Sequence, residues 1–249
     1  MERTVIEIAA ADGICPASLF HPSTGEGLWP GLIVFMDGIG IRPVLFDACQ
    51  RIADGGFVVL LPDLFYRAGP YTPVDYAALH NDPKIYQYWA ETYVATTGNS
   101  RVASDAAYFL DALSADPAVR PGRVGTTGYC MGAGMSVTVA ATYPERVGAC
   151  AGFHGGFLAT DASDSPHQLV PRIEGPVFLV IADRDEYMPT AQVERLRESF
   201  SEAQIPNRIE TWKNALHGFT MADCPWYNPP ASERHFLETR EFFANALRA

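Results

Sequence analysis

The chain has 249 residues, of which 48% are hydrophobic and 19% are charged. This composition is typical of a folded globular protein with enough apolar surface to bury a large core. The formal net charge of −11 opposes a sequence-independent grip on phosphate backbones or anionic membranes, because both need clustered Lys and Arg. We therefore expect neither nucleic acid nor a membrane as a partner.

The segment Met1–Ala10 lacks the basic and apolar regions of a signal peptide, and no stretch reaches the roughly 18 apolar residues of a membrane span. These features predict a cytoplasmic protein. Its five cysteines are dispersed and include no C-x-x-C pair, a pattern that favours neither a disulfide framework nor a zinc site. Because no two histidines have metal-ligand spacing, we expect no metal and no cofactor.

Apolar strands alternate with helices along the chain. The first two strands are predicted to form a hairpin around the Asp12-Gly13 turn, and the later apolar runs are typical of strands buried on both faces. The predicted strands are Val5–Ala9, Ala17–Phe20, Gly31–Met36, Phe57–Leu61, Arg123–Thr127, Val147–Phe153, Val177–Ala182 and Arg208–Trp212. The predicted helices are Val44–Asp54, Pro83–Ala95, Ser100–Ser114, Met131–Thr142, Ala191–Ala203 and Ser232–Leu247.

The segment Tyr66–Pro83 is rich in Gly, Pro, Tyr and Asp, which predicts a long loop forming one wall of a pocket. The alternating elements predict an α/β fold, with a mainly parallel sheet covered on both sides, in a single domain over residues 1–249. Since ligands bind beyond the carboxyl ends of the strands in such sheets, we expect functional residues at the strand-to-helix junctions.

The sharpest motif is Gly128-Tyr129-Cys130-Met131-Gly132, between a predicted strand and a predicted helix. It is a G-x-S-x-G nucleophile elbow with cysteine in place of serine. The glycines let the backbone bend, and the start of the helix favours a negative sulfur. Free cysteines are often simply buried, but the flanking glycines favour a nucleophile at Cys130.

The acid and the base are expected further along the chain, because folds with this elbow place the acid after the nucleophile and the histidine last. Asp183, Asp185 and Glu186 all follow a predicted strand end. Each is equally interpreted as a loop charge or a helix cap, so these residues alone leave the choice open.

Histidines at strand ends are the candidate bases. His217 follows a strand beyond these acids and fits the chain order. His154 also ends a strand but precedes the acids, so we expect a structural role for it. His235 lies within a helical pattern and is expected on the surface.

Motifs spread along most of the chain resemble the dienelactone hydrolase family, which is carboxymethylenebutenolidase-like. The cysteine elbow in Arg123–Gly132 is the most diagnostic part of the resemblance. Other matching motifs are Asp12-Gly13, Pro62-Asp63-Leu64, Tyr143-Pro144-Glu145-Arg146-Val147, Phe153-His154-Gly155-Gly156, Asp185-Glu186-Tyr187-Met188-Pro189 and His217-Gly218-Phe219. The resemblance implies an α/β-hydrolase fold with nucleophile Cys130, acid Asp185 and base His217.

Three further positions near the nucleophile are expected to take part. Family enzymes have a glutamate after the early strand that holds the resting thiol, and Asp37 stands at that position here, one methylene shorter. We expect Asp37 to modulate the Cys130 thiol; a turn cap next to Gly38 is the alternative. The backbone N–H groups of Gly38 and Met131 are expected to form the oxyanion hole.

The resemblance also bears on the substrate. Two arginines clamp the substrate carboxylate in the founding enzymes, and here Met221 and residues 81–83 stand in their places. A bidentate clamp needs guanidinium groups, so a neutral or more apolar ester or lactone is expected, unless Arg42 or Arg67 supplies the clamp. The side chains expected to line the pocket are Phe35, Tyr86, Trp89 and Met221.

These residues predict a cysteine hydrolase of small esters or lactones that works through a thioester. Its partner is a small-molecule substrate, and the chain is expected to be a monomer or a small homo-oligomer. Other hydrolases, such as peptidases or general carboxylesterases, stay open as alternatives. So do a non-catalytic binding module, since folds do not dictate function, and a thiol sensor, which needs a resolving cysteine near the reactive one.

Overall fold

The computed structural model describes residues 3–248 and contains one eight-stranded sheet. Its strands are β1 (Thr4–Ala10), β2 (Gly13–Phe20), β3 (Gly31–Phe35), β4 (Val58–Pro62), β5 (Val124–Gly128), β6 (Val147–Phe153), β7 (Val177–Ala182) and β8 (Asn207–Trp212). They lie in the order β1-β2-β4-β3-β5-β6-β7-β8. Strands β3 to β8 are parallel, whereas β1 and β2 form the predicted antiparallel hairpin at one edge.

The central strands β3 to β7 are buried at every residue, because helices cover both faces of the sheet. The helices are α1 (Pro43–Ala53), α2 (Tyr76–Asn81), α3 (Pro83–Thr92), α4 (Asn99–Ser114), α5 (Met131–Thr142), α6 (Thr190–Ala203) and α7 (Pro229–Ala246). Short 3-10 turns cover Tyr66–Ala68, Val94–Thr96 and Pro166–Arg172. Within residues 3–248, none of the helices has both the length and the apolar sequence needed to cross a membrane.

Each predicted strand and helix has a counterpart in the structure, although some ends differ: β2 begins at Gly13, α3 ends at Thr92 and α7 begins at Pro229. The main difference lies in the segment expected to be a loop. That segment contains the helix α2 in place of continuous irregular chain. The Asp75 carboxylate accepts a hydrogen bond from the Ala78 N–H at 2.9 Å, and Asp82 likewise caps α3 through the Lys84 N–H at 2.9 Å. Both caps stabilise short helices; α3 was predicted, whereas a composition rich in Gly and Pro does not indicate α2.

The prediction that residues 1–249 form a single domain stays a prediction.

The carboxyl ends of five neighbouring strands meet at one edge of the sheet and carry most of the candidate residues. The residues directly beyond these strand ends are Asp37 after β3, Cys130 after β5, His154 after β6, Asp185 after β7 and His217 after β8.

Candidate active site

The turn between β5 and α5 holds Cys130 in a strained conformation, with φ 54° and ψ −117°. A Cβ atom on Gly128 would lie 2.2 Å from the Gly132 carbonyl oxygen, and one on Gly132 would lie 2.3 Å from the Phe35 carbonyl oxygen. No side chain fits at either position, which explains why glycine flanks the cysteine. Strain of this kind is kept where the surrounding packing enforces it, often at functional sites.

His217 and Asp185 form a hydrogen-bonded pair beside this turn. The Nδ1 atom of His217 lies 2.7 Å from Oδ2 of Asp185, and the other carboxylate oxygen accepts a hydrogen bond from the Tyr187 N–H at 2.9 Å. The Asp185 side chain is fully buried, so it fixes the tautomer and the orientation of the imidazole.

The two other acids that follow β7 have different surroundings. Asp183 accepts a hydrogen bond from the Asn214 N–H at 2.9 Å and so ties together the loops after β7 and β8. Glu186 is exposed. Of the three acids that the strand end offered, only Asp185 is hydrogen-bonded to His217 within the described residues.

The second ring nitrogen of His217, Nε2, is buried and makes no hydrogen bond of acceptable geometry within residues 3–248. Burial alone would lower the pKa of His217, but its interactions with Cys130 and with the Asp185 carboxylate outweigh it and raise the pKa to about 10. The sulfur is therefore near enough to act on the ring, although the two atoms miss hydrogen-bond geometry. This arrangement suits a histidine that exchanges a proton with a neighbouring nucleophile.

His154 packs directly behind this histidine. The centroids of the His154 and His217 rings are 5.3 Å apart, and Nε2 of His154 lies 2.7 Å from the Thr220 hydroxyl. Burial, together with the positive charge on His217, lowers the pKa of His154 well below its usual value. His154 is therefore neutral and has a packing role, as expected, although it also lines the cavity.

The expectation that His235 lies on the surface is wrong. Its side chain is completely buried, and its Nε2 atom lies 3.1 Å from the Tyr129 hydroxyl. The ring of Phe153 packs against it edge to face at 4.3 Å. The helix α7 turns this histidine towards the core under the elbow, and a helical pattern by itself does not reveal which face is inward.

Gly38 and Met131 line the same cavity as Cys130. Met131 is the first residue of α5, where an N–H has no partner within the helix. Neither backbone N–H group donates a hydrogen bond within the described part of the chain. The Trp89 indole N–H donates to the Gly38 carbonyl at 2.7 Å and so fixes the adjoining peptide.

Asp37 does not have the surroundings expected of a residue that holds the thiol. Its two carboxylate oxygens accept hydrogen bonds from Arg42 at 2.7 and 2.8 Å, and Oδ1 also accepts one from the Ile39 N–H at 3.0 Å. No hydrogen bond joins Asp37 to Cys130 among residues 3–248. The carboxylate therefore caps its own turn and neutralises Arg42. This agrees in part with the alternative interpretation of Asp37 as a turn cap.

Neither arginine considered as a replacement clamp lines the cavity. Arg42 is buried and also donates from Nε to Asp223 at 2.6 Å. Arg67 donates to Asp105 at 2.8 and 3.0 Å and to Asp12 at 2.7 Å. Both guanidinium groups are thus neutralised by carboxylates of the protein, so neither is available to a substrate carboxylate.

The cavity above Cys130 has a volume of about 660 Å³. Tyr86 and Trp89 line it, as expected, but Phe35 and Met221 do not. Phe35 is completely buried because it ends the central strand β3, and Met221 is buried by the tight turn in which its N–H donates to the Gly218 carbonyl at 3.0 Å. The aromatic side chains around the cavity include Tyr76, Tyr86, Trp89, Phe157, Tyr187 and Trp226.

Four of these aromatic residues were missed in the sequence because they come from separate loops. Tyr187 stands two residues after Asp185, which is the single local signal that pointed to one of them. Its ring lies 4.8 Å from that of His217, and Phe157 packs against its other side at 5.7 Å. Among residues 3–248 no group of three or more His, Cys, Asp or Glu side chains is arranged to hold a metal ion; the absence of a metal or cofactor stays a prediction.

The parallel sheet, the elbow after β5 and the acid–histidine pair after β7 and β8 define an α/β-hydrolase. The model of the dienelactone hydrolase family matches residues 16–247, so the chain belongs to that family. It is a hydrolase that acts on esters or lactones. The carboxymethylenebutenolidase of Rhodococcus opacus is 25% identical over 240 residues, which cover 94% of this chain and 88% of that protein.

Solved structures support the same fold. A Klebsiella pneumoniae structure matches with a TM-score of 0.81 at 20% identity, covering 98% of this chain and 99% of its own. A dienelactone hydrolase-like promiscuous phosphotriesterase from metagenomic libraries matches with a TM-score of 0.76 at 24% identity, covering 99% of both chains. The dienelactone hydrolase of Anabaena variabilis matches with a TM-score of 0.67 at 18% identity, also over 99% of both chains.

Proposed function

We propose that this chain hydrolyses neutral, apolar esters or lactones through a thioester on Cys130. The observation that carries the proposal is the hydrogen-bonded pair of His217 and Asp185 beside Cys130 in its strained elbow. The second ring nitrogen of His217, Nε2, is buried and has no hydrogen-bond partner within residues 3–248. In such a pair the acid orients the histidine and the histidine activates the nucleophile.

In the acylation step the Cys130 sulfur attacks the ester carbonyl carbon. A sulfur–carbon bond forms while the carbonyl electron pair moves to the oxygen. The N–H groups of Gly38 and Met131 donate hydrogen bonds to this oxyanion. When the intermediate collapses, the carbon–oxygen bond of the ester breaks and the alkoxide takes a proton from Nε2 of His217.

Deacylation uses the same groups in the reverse direction. Water gives a proton to His217 and attacks the thioester carbon, and the sulfur leaves as a thiolate. With a lactone substrate the alcohol stays attached to the acyl group, and the product is a hydroxy acid. These steps need no cofactor.

The charges around the cavity favour a substrate without a carboxylate. Arg184 is the arginine at the cavity wall, and its side chain is 75% exposed. The acidic residues Asp164 and Glu186 stand at the same rim and are also exposed. One solvated arginine on a rim that also carries two carboxylates gives an anionic substrate little net attraction. The aromatic walls suit an apolar group.

The experiment is the hydrolysis of p-nitrophenyl acetate, p-nitrophenyl butyrate, a neutral lactone and a dienelactone by Cys130→Ala and wild-type protein. We expect Cys130→Ala to lower kcat/KM by about 10⁴-fold or more. Cys49→Ala, which removes a buried thiol from α1, is the matched control and should keep the wild-type rate.

Full activity in Cys130→Ala would reject the thiol mechanism. Inactivity of the wild type on every substrate would favour the non-catalytic binding module. A clear preference for the carboxylate-bearing dienelactone would contradict the proposed neutral substrate. The cytoplasmic location and the monomeric or small homo-oligomeric state stay predictions.

A further inference from the structure

The guanidinium of Arg42 is buried and uses all of its N–H groups on the protein. Besides Asp37, it donates to the Gly40 carbonyl at 3.0 Å and to the two oxygens of Asp223 at 2.6 and 3.3 Å. Buried ion pairs add little net stability compared with apolar side chains of similar size. A fully bonded arginine, however, holds its partners in one geometry, because its fork of donors is planar and rigid.

The two carboxylates on Arg42 belong to different loops of the site. Asp37 follows β3 and directly precedes Gly38, the proposed oxyanion donor. Asp223 lies beyond β8 in the chain that continues from His217, the proposed base. Arg42 itself is the residue at the start of α1, so it is anchored on a long helix.

The other contacts of the loop after β3 lead to a different part of the molecule. The Ile41 N–H donates to the Tyr71 hydroxyl at 2.7 Å, and the Gly38 carbonyl accepts the Trp89 N–H. Both partners come from the segment that precedes α4. Within residues 3–248, the hydrogen bonds between residues 37–42 and residues 217–224 are those of Arg42 with Asp223.

We propose that Arg42 is a positioning residue that holds the oxyanion donor Gly38 at a fixed distance from the base His217. The inference rests on the proposed function, since it assigns those two roles. Through Asp37 the arginine fixes the peptide next to Gly38, and through Asp223 it fixes the loop of His217. Asp37 thus serves the oxyanion hole and does not regulate the thiol.

The test removes the link between the loops and leaves the pair of Arg42 and Asp37 in place. Asp223→Ala does this, and neither Asp223 nor Arg42 lines the cavity. A displaced oxyanion donor weakens transition-state binding, so we expect kcat to fall about tenfold with KM within about twofold of wild type. Both are measured with p-nitrophenyl butyrate, after melting curves have established that the variant is folded.

Asp12→Ala is the matched control. It removes a partly exposed carboxylate from another arginine, the largely shielded Arg67, whose second partner stays in place. The side chains of Asp12 and Asp223 are 62% and 42% exposed. We expect Asp12→Ala to keep the wild-type kcat, so a loss in Asp223→Ala alone is due to the place of the link and not to the loss of an ion pair.

A second readout separates the oxyanion hole from the thiol. Iodoacetamide alkylates Cys130 without using an oxyanion hole, and mass spectrometry follows the reaction at that cysteine. We expect Asp223→Ala and Asp37→Asn to have the wild-type dependence of this rate on pH. Arg42→Lys keeps the charge but loses the fork, and its kcat should fall as in Asp223→Ala.

The proposal is overturned by a wild-type kcat in Asp223→Ala, or by equal losses in Asp223→Ala and Asp12→Ala. A shifted alkylation profile in either Asp223→Ala or Asp37→Asn would also overturn it, because the arginine would then act on the thiol. Failure of the proposed function gives a different result, namely unchanged activity in Cys130→Ala.

Discussion

Arg42 and Arg67 have almost the same chemical surroundings in two distant regions of the molecule. Arg42 is buried and Arg67 is largely shielded from solvent. Each makes a bidentate pair with a buried carboxylate, Asp37 or Asp105, and each also binds one partly exposed carboxylate. Their hydrogen bonds to the buried partner are 2.7 and 2.8 Å for Arg42 and 2.8 and 3.0 Å for Arg67. The local chemistry therefore does not distinguish them.

The difference lies in the elements that each arginine joins. Arg67 connects the turn between β1 and β2, through Asp12, to the helix α4, through Asp105. Arg42 connects the loop of Gly38 to the loop that follows His217. If Arg42 is the positioning residue that we propose, the two ion pairs differ in their effect on catalysis because of the loops they hold and not because of their local chemistry.

The largest effect is expected from Arg42→Met. It leaves the buried carboxylate of Asp37 unpaired, which costs about 3–5 kcal/mol of unfolding free energy. It also releases the oxyanion donor, so kcat per folded molecule should fall about 100-fold. Urea unfolding and steady-state kinetics measure the two losses.

The double variant Asp37→Asn/Arg42→Met serves as the control for this prediction. It removes both buried charges, so most of the stability should return, while kcat stays low because the link is still absent. Recovery of kcat along with stability would show that Arg42 acts through folding alone.

Arg67→Met is expected to lower the free energy of unfolding strongly without changing kcat. The completely buried Asp105 loses its charged partner, at a cost of about 3–5 kcal/mol. Since Arg67 joins no loop that carries Cys130, His217 or the proposed oxyanion donor Gly38, kcat of the folded fraction should match wild type. A kcat loss equal to that of Arg42→Met would abolish the distinction between the two arginines.

His217 should lose its proton as the pH rises, whereas Arg42 and Arg67 stay charged. Burial would lower the pKa of Arg42, but Asp37 raises it above its ordinary value. For His217 the pKa is raised from 6.5 to about 10. A raised folded-state pKa stabilises the fold fully below the unfolded value, and this contribution is lost as pH rises through the folded value.

Wild type should therefore melt at a higher temperature than His217→Gln near pH 6, and the advantage should shrink as pH approaches 10. Thermal melts of the two proteins across this range measure the difference. An advantage that stays constant with pH would contradict the raised pKa of His217.

The smallest effect is expected from a third arginine, Arg184, at the rim of the cavity. Its nearest carboxylate, Asp183, is 3.8 Å away, and its side chain is largely exposed. Arg184→Gln should raise KM for a carboxylate-bearing ester by about two- to threefold at most, as for a solvated charge pair. KM for a neutral ester should not change, and a much larger rise for the anionic ester would identify Arg184 as a carboxylate clamp.

Elements with long apolar patterns were predicted well from the sequence. The prediction for α5 has the bounds seen in the structure, as do those for β6 and β7, because continuous apolar runs between glycines and turns leave few alternatives. The helix α2 was missed because Asp75 stabilises it through a cap. The inward face of α7, with His235, was missed because packing against Tyr129 decides it.

The sequence by itself determined the family, the tight elbow at Cys130 and the order along the chain of Cys130, Asp185 and His217, the proposed nucleophile, acid and base. Each of these depends on neighbours along the chain: glycines that must flank the turn, and polar residues that must follow a strand. It also excluded a substrate clamp at the two positions where the family has arginine.

Tertiary structure alone decided the pairing of charges. Asp37 was expected to act on Cys130, but Arg42 takes its carboxylate, and Arg42 itself bonds Asp223 from a loop distant in sequence. It likewise decided that Phe35 and Met221 are buried while Phe157 and Trp226 line the cavity. The physical reason is that ion pairs and cavity walls are made by side chains from separate loops, whose positions are fixed only when the sheet brings the strand ends together.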